Sequence, residues 1–273
     1  CSSAIFFCFI FSFSPFIKSR FFIRHYIIFI KYIIVMNKIP KYVINLERDK
    51  HKLKRFNKPM EKQNINYNIW RGAIIKNKED LIKCYTKHFY TKGTKNIKLP
   101  GNVGSAFAHL SLWDYCIKQN SDYFMIFEDN SIVKDDFIKK VDNYVKKIGD
   151  FDFFNLNVIR PMGETKDNIL FKYKPLNPFP YPPPNTWMSS YIISKNLMKF
   201  LLNISKSINY DKLPIDKVVM NIMNSISTLK YYSINTNVLA THIELYSDTR
   251  KLLNRKDKLS IYSYISVKPV SLL

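Results

Sequence analysis

A chain of 273 residues is long enough to bury a substantial core in one domain, or in one domain with a small appendage. Its formal net charge of +22 comes mainly from lysines spread from Lys38 to Lys268 without a dense basic block. Such a diffuse field favours polyanions in general, a nucleotide diphosphate among them, and matches no specific nucleic-acid module. The four cysteines, Cys1, Cys8, Cys84 and Cys116, form no CxxC pair and have no histidines at zinc spacing. They read as free thiols, with a single Cys84–Cys116 bridge left open.

Two apolar runs open the chain, Ile5 to Ile17 and Phe21 to Val35, the second interrupted by Arg24, His25 and Lys31. A spanning helix needs roughly 20 mostly apolar residues, which neither run supplies cleanly. Residues 1–35 are therefore read as leader sequence upstream of Met36, with a signal peptide or signal anchor as the alternative. The protein is expected in the cytoplasm if Met36 is the start. Membrane contact is expected only if the stretch is retained.

From Met36 onward strands and helices alternate. Tyr42 to Leu46 is an apolar strand, and the charged stretch Glu47 to Gln63 carries Leu53, Phe56 and Met60 at helical spacing, with Pro59 expected to end or kink that helix. Ile65 to Trp70 alternates as a second strand does. Residues 76–100 read as a short helix and a mobile loop. Val103, Ala106, Phe107, Leu110, Trp113 and Ile117 then mark one face of an amphipathic helix. The unalternated run Tyr123 to Phe127 predicts a strand buried on both faces. Asp135 and Asp136 are placed to cap a helix carrying Phe137, Val141, Tyr144 or Val145, and Ile148. Phe151 to Ile159 is a further strand. Pro175 to Pro184 is a proline-dense loop containing Phe179 and Tyr181, with Trp187 just beyond it. Tyr191 to Ile193 is a strand ending at Ser194, which caps a helix with Leu197, Met198, Leu201 and Leu202 inward. Pro214 opens a helix with an apolar face from Ile215 to Ile226, and strand-like runs follow at Leu229 to Ile234 and Asn237 to Ala240. This alternation predicts an α/β fold with a Rossmann-like doubly wound mixed sheet flanked by helices, in a single domain. The GxGxxG fingerprint of NAD and FAD sites is missing after the first strand.

Glu128, Asp129 and Asn130 fall where the buried strand must end. In open α/β sheets ligands bind beyond the carboxyl ends of strands, so acids released there are placed to hold a cation or a polar substrate.

Several separated pieces together resemble glycosyltransferase family 25, over roughly Ile39 to Arg250. They are Val43-Ile44-Asn45-Leu46 with Arg48, Gly104 followed by His109 and Trp113, Ile126-Phe127-Glu128-Asp129, Tyr191-Ile192-Ile193-Ser194, Pro214-Ile215-Asp216, and Ser247-Asp248. The resemblance implies a GT-A-type fold over residues 36–250, with 251–273 as a tail. It also implies a UDP-sugar donor, a glycan or glycoprotein acceptor, inversion at the anomeric carbon, and Mn²⁺ or Mg²⁺ as cofactor. On that resemblance Asn45, Arg48, Glu128 and Asp129 bind the donor, Asp129, Asn130, His242 and Asp248 hold the metal, and Asp216 and His109 are catalytic, with Asp216 the base that deprotonates the acceptor hydroxyl.

Each of these residues also has a plain structural reading: a solvated turn for Asn45 and Arg48, a core histidine for His109, a first-turn helix carboxylate for Asp216, surface polar groups for His242 and Asp248. The family's acidic cluster reads Glu-Asp-Asp, and Asn130 replaces its last acid, which lowers the expected metal affinity. That departure keeps a catalytically inactive relative as one alternative. The net charge alone motivates a basic nucleic-acid-binding protein as another.

Overall fold

Apolar runs of five or six residues form the centre of a seven-stranded mixed sheet in the computed structural model, which describes residues 38–72, 74, 79–80, 100–158, 169–172, 188–235 and 237–242. The chain divides into two units, Cys1–Lys38 and Ile39–Leu273, and every element named here lies in the second. The N-terminal runs, the proline loop with Phe179, Tyr181 and Trp187, the tail, and Asp248 lie outside the described residues.

The strands are β1 (Lys41–Asn45), β2 (Asn68–Arg71), β3 (Tyr123–Glu128), β4 (Ser131–Val133), β5 (Phe153–Val158), β6 (Leu170–Lys172), β7 (Ser190–Ser194), β8 (Tyr231–Asn235) and β9 (Ala240–His242). The helices are α1 (Lys50–Lys62), α2 (Pro100–Cys116), α3 (Phe137–Ile148), α4 (Lys195–Ile204) and α5 (Ile215–Ser225). The sheet order is β2-β1-β3-β7-β5-β8-β6, and β4 pairs separately with β9. β1 runs parallel to β2 and β3, β7 runs antiparallel to both β3 and β5, β5 and β8 are parallel, and β6 is antiparallel to β8. The carboxyl ends of β1, β2, β3, β5 and β8 therefore share one edge of the sheet.

β3 shows why an unalternated run makes a central strand. Successive side chains point to opposite faces. Phe124 and Ile126 enter the core shared with α2, α4 and α5, while Phe127 meets Phe56 of α1 at 5.4 Å and Phe137 of α3 at 5.8 Å between ring centroids. Helices thus cover both faces. The predicted single apolar face of α2 understates its burial, because Ala108, His109 and Leu112 are buried along with Val103, Ala106, Leu110 and Trp113. A helix buried most of the way round is a core helix rather than a surface one.

Two local expectations are corrected. Pro59 does not end α1, which continues to Lys62. The start of α3 is not capped by an aspartate: Asp135 pairs with Lys62 at 3.0 Å, and Asp136 sits at φ 58° with no side-chain cap bond. The Phe137 N–H instead donates to Gln63 Oε1 at 2.9 Å, while Gln63 Nε2 donates to the Pro59 and Lys134 carbonyls, both at 3.1 Å. One amide from the end of α1 thus satisfies the orphan donor of a helix far along the chain. Gln63→Ala is expected to cost about 1–2 kcal/mol of stability, read as a lowered urea midpoint; an unchanged midpoint would show that the α3 start is held by packing alone. As expected, Cys116 is a free thiol; it is buried, and burial pushes its pKa up to about 12, while Cys84 lies outside the described residues. As predicted, Ser194 caps α4, accepting from the Leu197 N–H at 3.2 Å.

Candidate active site

The site is built on adjacent strand ends. Asn45, the last residue of β1, is 1% exposed, and its amide is fully committed. Nδ2 donates to Asp129 Oδ2 at 2.7 Å and to the Asp49 carbonyl at 3.2 Å, while Oδ1 accepts from Arg71 Nη1 at the end of β2. Arg71 Nε in turn pairs with Glu47 at 3.2 Å, and Lys52 with Asp49 at 2.7 Å. Arg48 is exposed in the same 3-10 turn, Glu47–Asp49. Gly72 closes this corner: its N–H donates to the Asn45 carbonyl at 3.1 Å, and a Cβ there would stand 3.1 Å from Leu46 Cδ2.

Asp129 is therefore held in place and largely out of water. Burial, the dominant cause, raises its pKa from the ordinary 3.8 to about 6; Asn45 and Lys52 pull the other way, and Glu128 and Asp49 add to the rise. A carboxylate kept poised by such opposed forces is typical of a functional position.

Glu128 ends β3, its N–H donating to the Ser189 carbonyl at 2.7 Å. Its Oε1 lies 3.4 Å from His109 Nε2, and the other ring nitrogen, Nδ1, is 2.7 Å from the Tyr191 hydroxyl, which also accepts from Trp113 Nε1 at 3.1 Å. Next in sequence, Asn130 keeps a buried side-chain oxygen with no hydrogen-bond partner among the described residues. Ser131 then pairs with His242 in the β4–β9 ladder, so the His242 backbone runs beside the end of the acidic turn.

A buried polar row continues along the edge. Asn157 Nδ2 donates to Ser189 Oγ at 3.2 Å, and Asn157 Oδ1 and Ser190 Oγ have no partner among the described residues. Asp216 stands in the first turn of α5, where the Lys217 N–H donates to its Oδ1 at 2.8 Å. A short connection leads from α5 back into β8.

The predicted residues thus fall into groups. Asn45 and Asp129 bond directly, Glu128 and His109 are neighbours, and Arg48 and Asn130 flank them. Among the described residues no three His, Cys, Asp or Glu side chains gather as a ready metal site. Of the predicted ligands, only Asp129 and Asn130 have described side chains. Both offer oxygen, the ligand type that Mn²⁺ and Mg²⁺ accept, and the unpartnered Asn130 oxygen fits a cation. Sequence reasoning missed Arg71, Tyr191, Ser189 and Asn157. Asn157 left a signal, since Asn155 and Asn157 put two amides on one face of an otherwise apolar strand, and Tyr191 opens one of the pieces that carry the family resemblance.

Residues 38–219 match the model of glycosyltransferase family 25 (LPS biosynthesis protein). That span takes in Asn45, His109, Glu128, Asp129, Asn130 and Asp216. The chain is 22% identical over 215 residues to a Haemophilus influenzae protein provisionally named a glycosyltransferase, covering 76% of this chain and 72% of that one. It is 24% identical over 152 residues to lipooligosaccharide biosynthesis protein lex-1 of the same organism, covering 53% of this chain and 50% of the relative. A solved glycosyltransferase involved in the glycosylation of the major capsid of PBCV-1 aligns with TM-score 0.40 and 9% identity, over 77% of this chain and 98% of that one.

Proposed function

The chain belongs to glycosyltransferase family 25, and from that premise we propose that it moves a hexose, galactose or glucose, from a UDP-sugar to a hydroxyl of a glycan or glycosylated protein, with inversion and with metal assistance. The observation that carries the proposal is the Asn45–Asp129 bond at 2.7 Å, which joins the ends of β1 and β3 beside Glu128. Arg71, Lys52 and Arg48 bring positive charge to the same corner, suited to a diphosphate.

In this reading Asn45, Arg48, Glu128 and Asp129 bind the donor. Asp129 and Asn130 hold Mn²⁺ or Mg²⁺, with His242 and Asp248 completing the set. When bound, the metal supplies positive charge against the diphosphate leaving group. Asp216 takes the acceptor hydroxyl proton as its oxygen attacks the anomeric carbon, the bond from that carbon to the diphosphate oxygen breaks, and UDP departs from the opposite face. The transferase domain comprises residues 36–250, with 251–273 as a tail. No helix among the described residues is long and apolar enough to cross a membrane.

Asn130 favours one second reading, a relative that binds nucleotide without turning it over. Calorimetry of UDP with the full chain tests the common ground: Mn²⁺ is expected to tighten UDP binding about tenfold or more, and an absence of UDP binding with and without Mn²⁺ would contradict both readings.

A further inference from the structure

We propose that Trp113, Tyr191 and His109 form a one-way hydrogen-bond relay whose last N–H, on His109 Nε2, aims the Glu128 carboxylate at the donor, making His109 and Tyr191 positioning residues for donor binding. The functional half of the proposal rests on the donor-site reading given above. The relay itself does not.

Its direction follows from which groups can donate. An indole N–H donates only, so the Tyr191 oxygen must accept from Trp113 at 3.1 Å. The phenol has one proton of its own and, besides Trp113, one polar partner among the described residues, His109 Nδ1 at 2.7 Å. Burial holds the Tyr191 pKa well above its usual value, so that proton stays on the oxygen and is available to give. Nδ1 must then be bare, and the ring proton sits on Nε2, facing Glu128 Oε1 at 3.4 Å. The opposite tautomer would bury the phenol proton without an acceptor and turn a ring lone pair toward a carboxylate, two penalties at once.

The fold builds the relay from regular structure. His109 and Trp113 are one turn apart on α2, so they share a face. Tyr191 of β7 lies opposite Ile126 of β3, and Glu128, two residues further along β3, points to the same side. Trp113 and Tyr191 are fully buried, Phe153 stacks on the Tyr191 ring at 5.0 Å, and His109 is 1% exposed. The Glu128 side chain is 30% exposed, so the chain of bonds ends where a ligand can reach it. A histidine so deeply enclosed acts through Glu128 and not on the substrate itself.

Two measurements on the full chain decide the matter. With ¹⁵N-labelled histidine, His109 is expected to show a protonated Nε2 and a bare Nδ1, assigned by their loss in His109→Gln, and Tyr191→Phe is expected to mix the tautomers. A protonated Nδ1 would overturn the relay. With UDP as the probe, His109→Ala and Tyr191→Phe are expected to weaken binding about tenfold, whereas His109→Gln, which keeps an N–H to offer Glu128, stays within about threefold. A melting curve confirms that each variant is folded. Unchanged UDP affinity in folded His109→Ala, or an equal loss in His109→Gln, would overturn the positioning role. If the unsubstituted chain binds no UDP, the donor reading fails and the aiming role fails with it, while the nitrogen shifts still decide the direction of the relay.

Discussion

Asp129→Asn is expected to lower transfer by about a hundred- to thousandfold while making the free protein harder to unfold at pH 7. The two effects share one cause. The carboxylate is largely out of water, which raises its pKa from the ordinary 3.8 to about 6, and holding the charge at neutral pH costs at most about 3 kcal/mol. The folded protein binds this proton more tightly than the unfolded chain does. Its contribution to stability is therefore fully present below pH 3.8 and is lost as pH rises through about 6. An asparagine carbonyl can still accept from Asn45 Nδ2, so the bond between the two strand ends is kept without the charge. Urea unfolding at pH 4 and pH 7 checks this: the variant's advantage should be small at the lower pH and larger at the higher. A variant less stable than the parent at pH 7 would mean that the carboxylate is held by attractions outweighing its burial.

Asp216→Asn is expected to reduce kcat by about 10²- to 10⁴-fold, the usual contribution of a positioned base, with UDP affinity and melting temperature nearly unchanged. Its setting accounts for the separation of effects. The side chain lies in the first turn of α5 and accepts from the Lys217 N–H, a bond that an asparagine oxygen can also make. The loss of a negative charge at a helix N-terminus costs about 0.3–1 kcal/mol. Steady-state rates at saturating donor and acceptor, beside a thermal melt, distinguish the roles. Unchanged kcat with a slightly lower melting temperature would reduce Asp216 to a helix-stabilising carboxylate.

These expectations depend on a fold that the sequence displays unevenly. β1, β3, β5 and β7 are legible because strands buried on both faces need continuous apolar runs, and α4 because Ser194 stands three residues before the start of its apolar stripe at Leu197. β4 and β6 are not legible. Each has three residues, too few for a periodic pattern, and each is a strand only through its partner, β9 or β8. The cap on α3 escaped for a related reason, since Gln63 and Phe137 meet only after folding.

The site divides in the same way. Asn45, Glu128 and Asp129 can be picked out because acids and amides at the ends of apolar strands mark the binding edge of an α/β sheet. What holds them cannot be read from the chain: Arg71 reaches Asn45 across a strand pair, and Tyr191 reaches His109 from a strand 82 residues away in sequence. Tyr191 looks like one more aromatic residue in an apolar run, and only the fold puts its hydroxyl between an indole and an imidazole.

The most direct test of the glycosyltransferase account is UDP release by the full chain from UDP-galactose and UDP-glucose, with Mn²⁺ and with EDTA, beside Asp129→Ala. The account predicts release with at least one donor that requires the metal and disappears in the variant. No release from either donor by a folded chain that still binds UDP would contradict it and establish instead a nucleotide-binding relative without transferase activity.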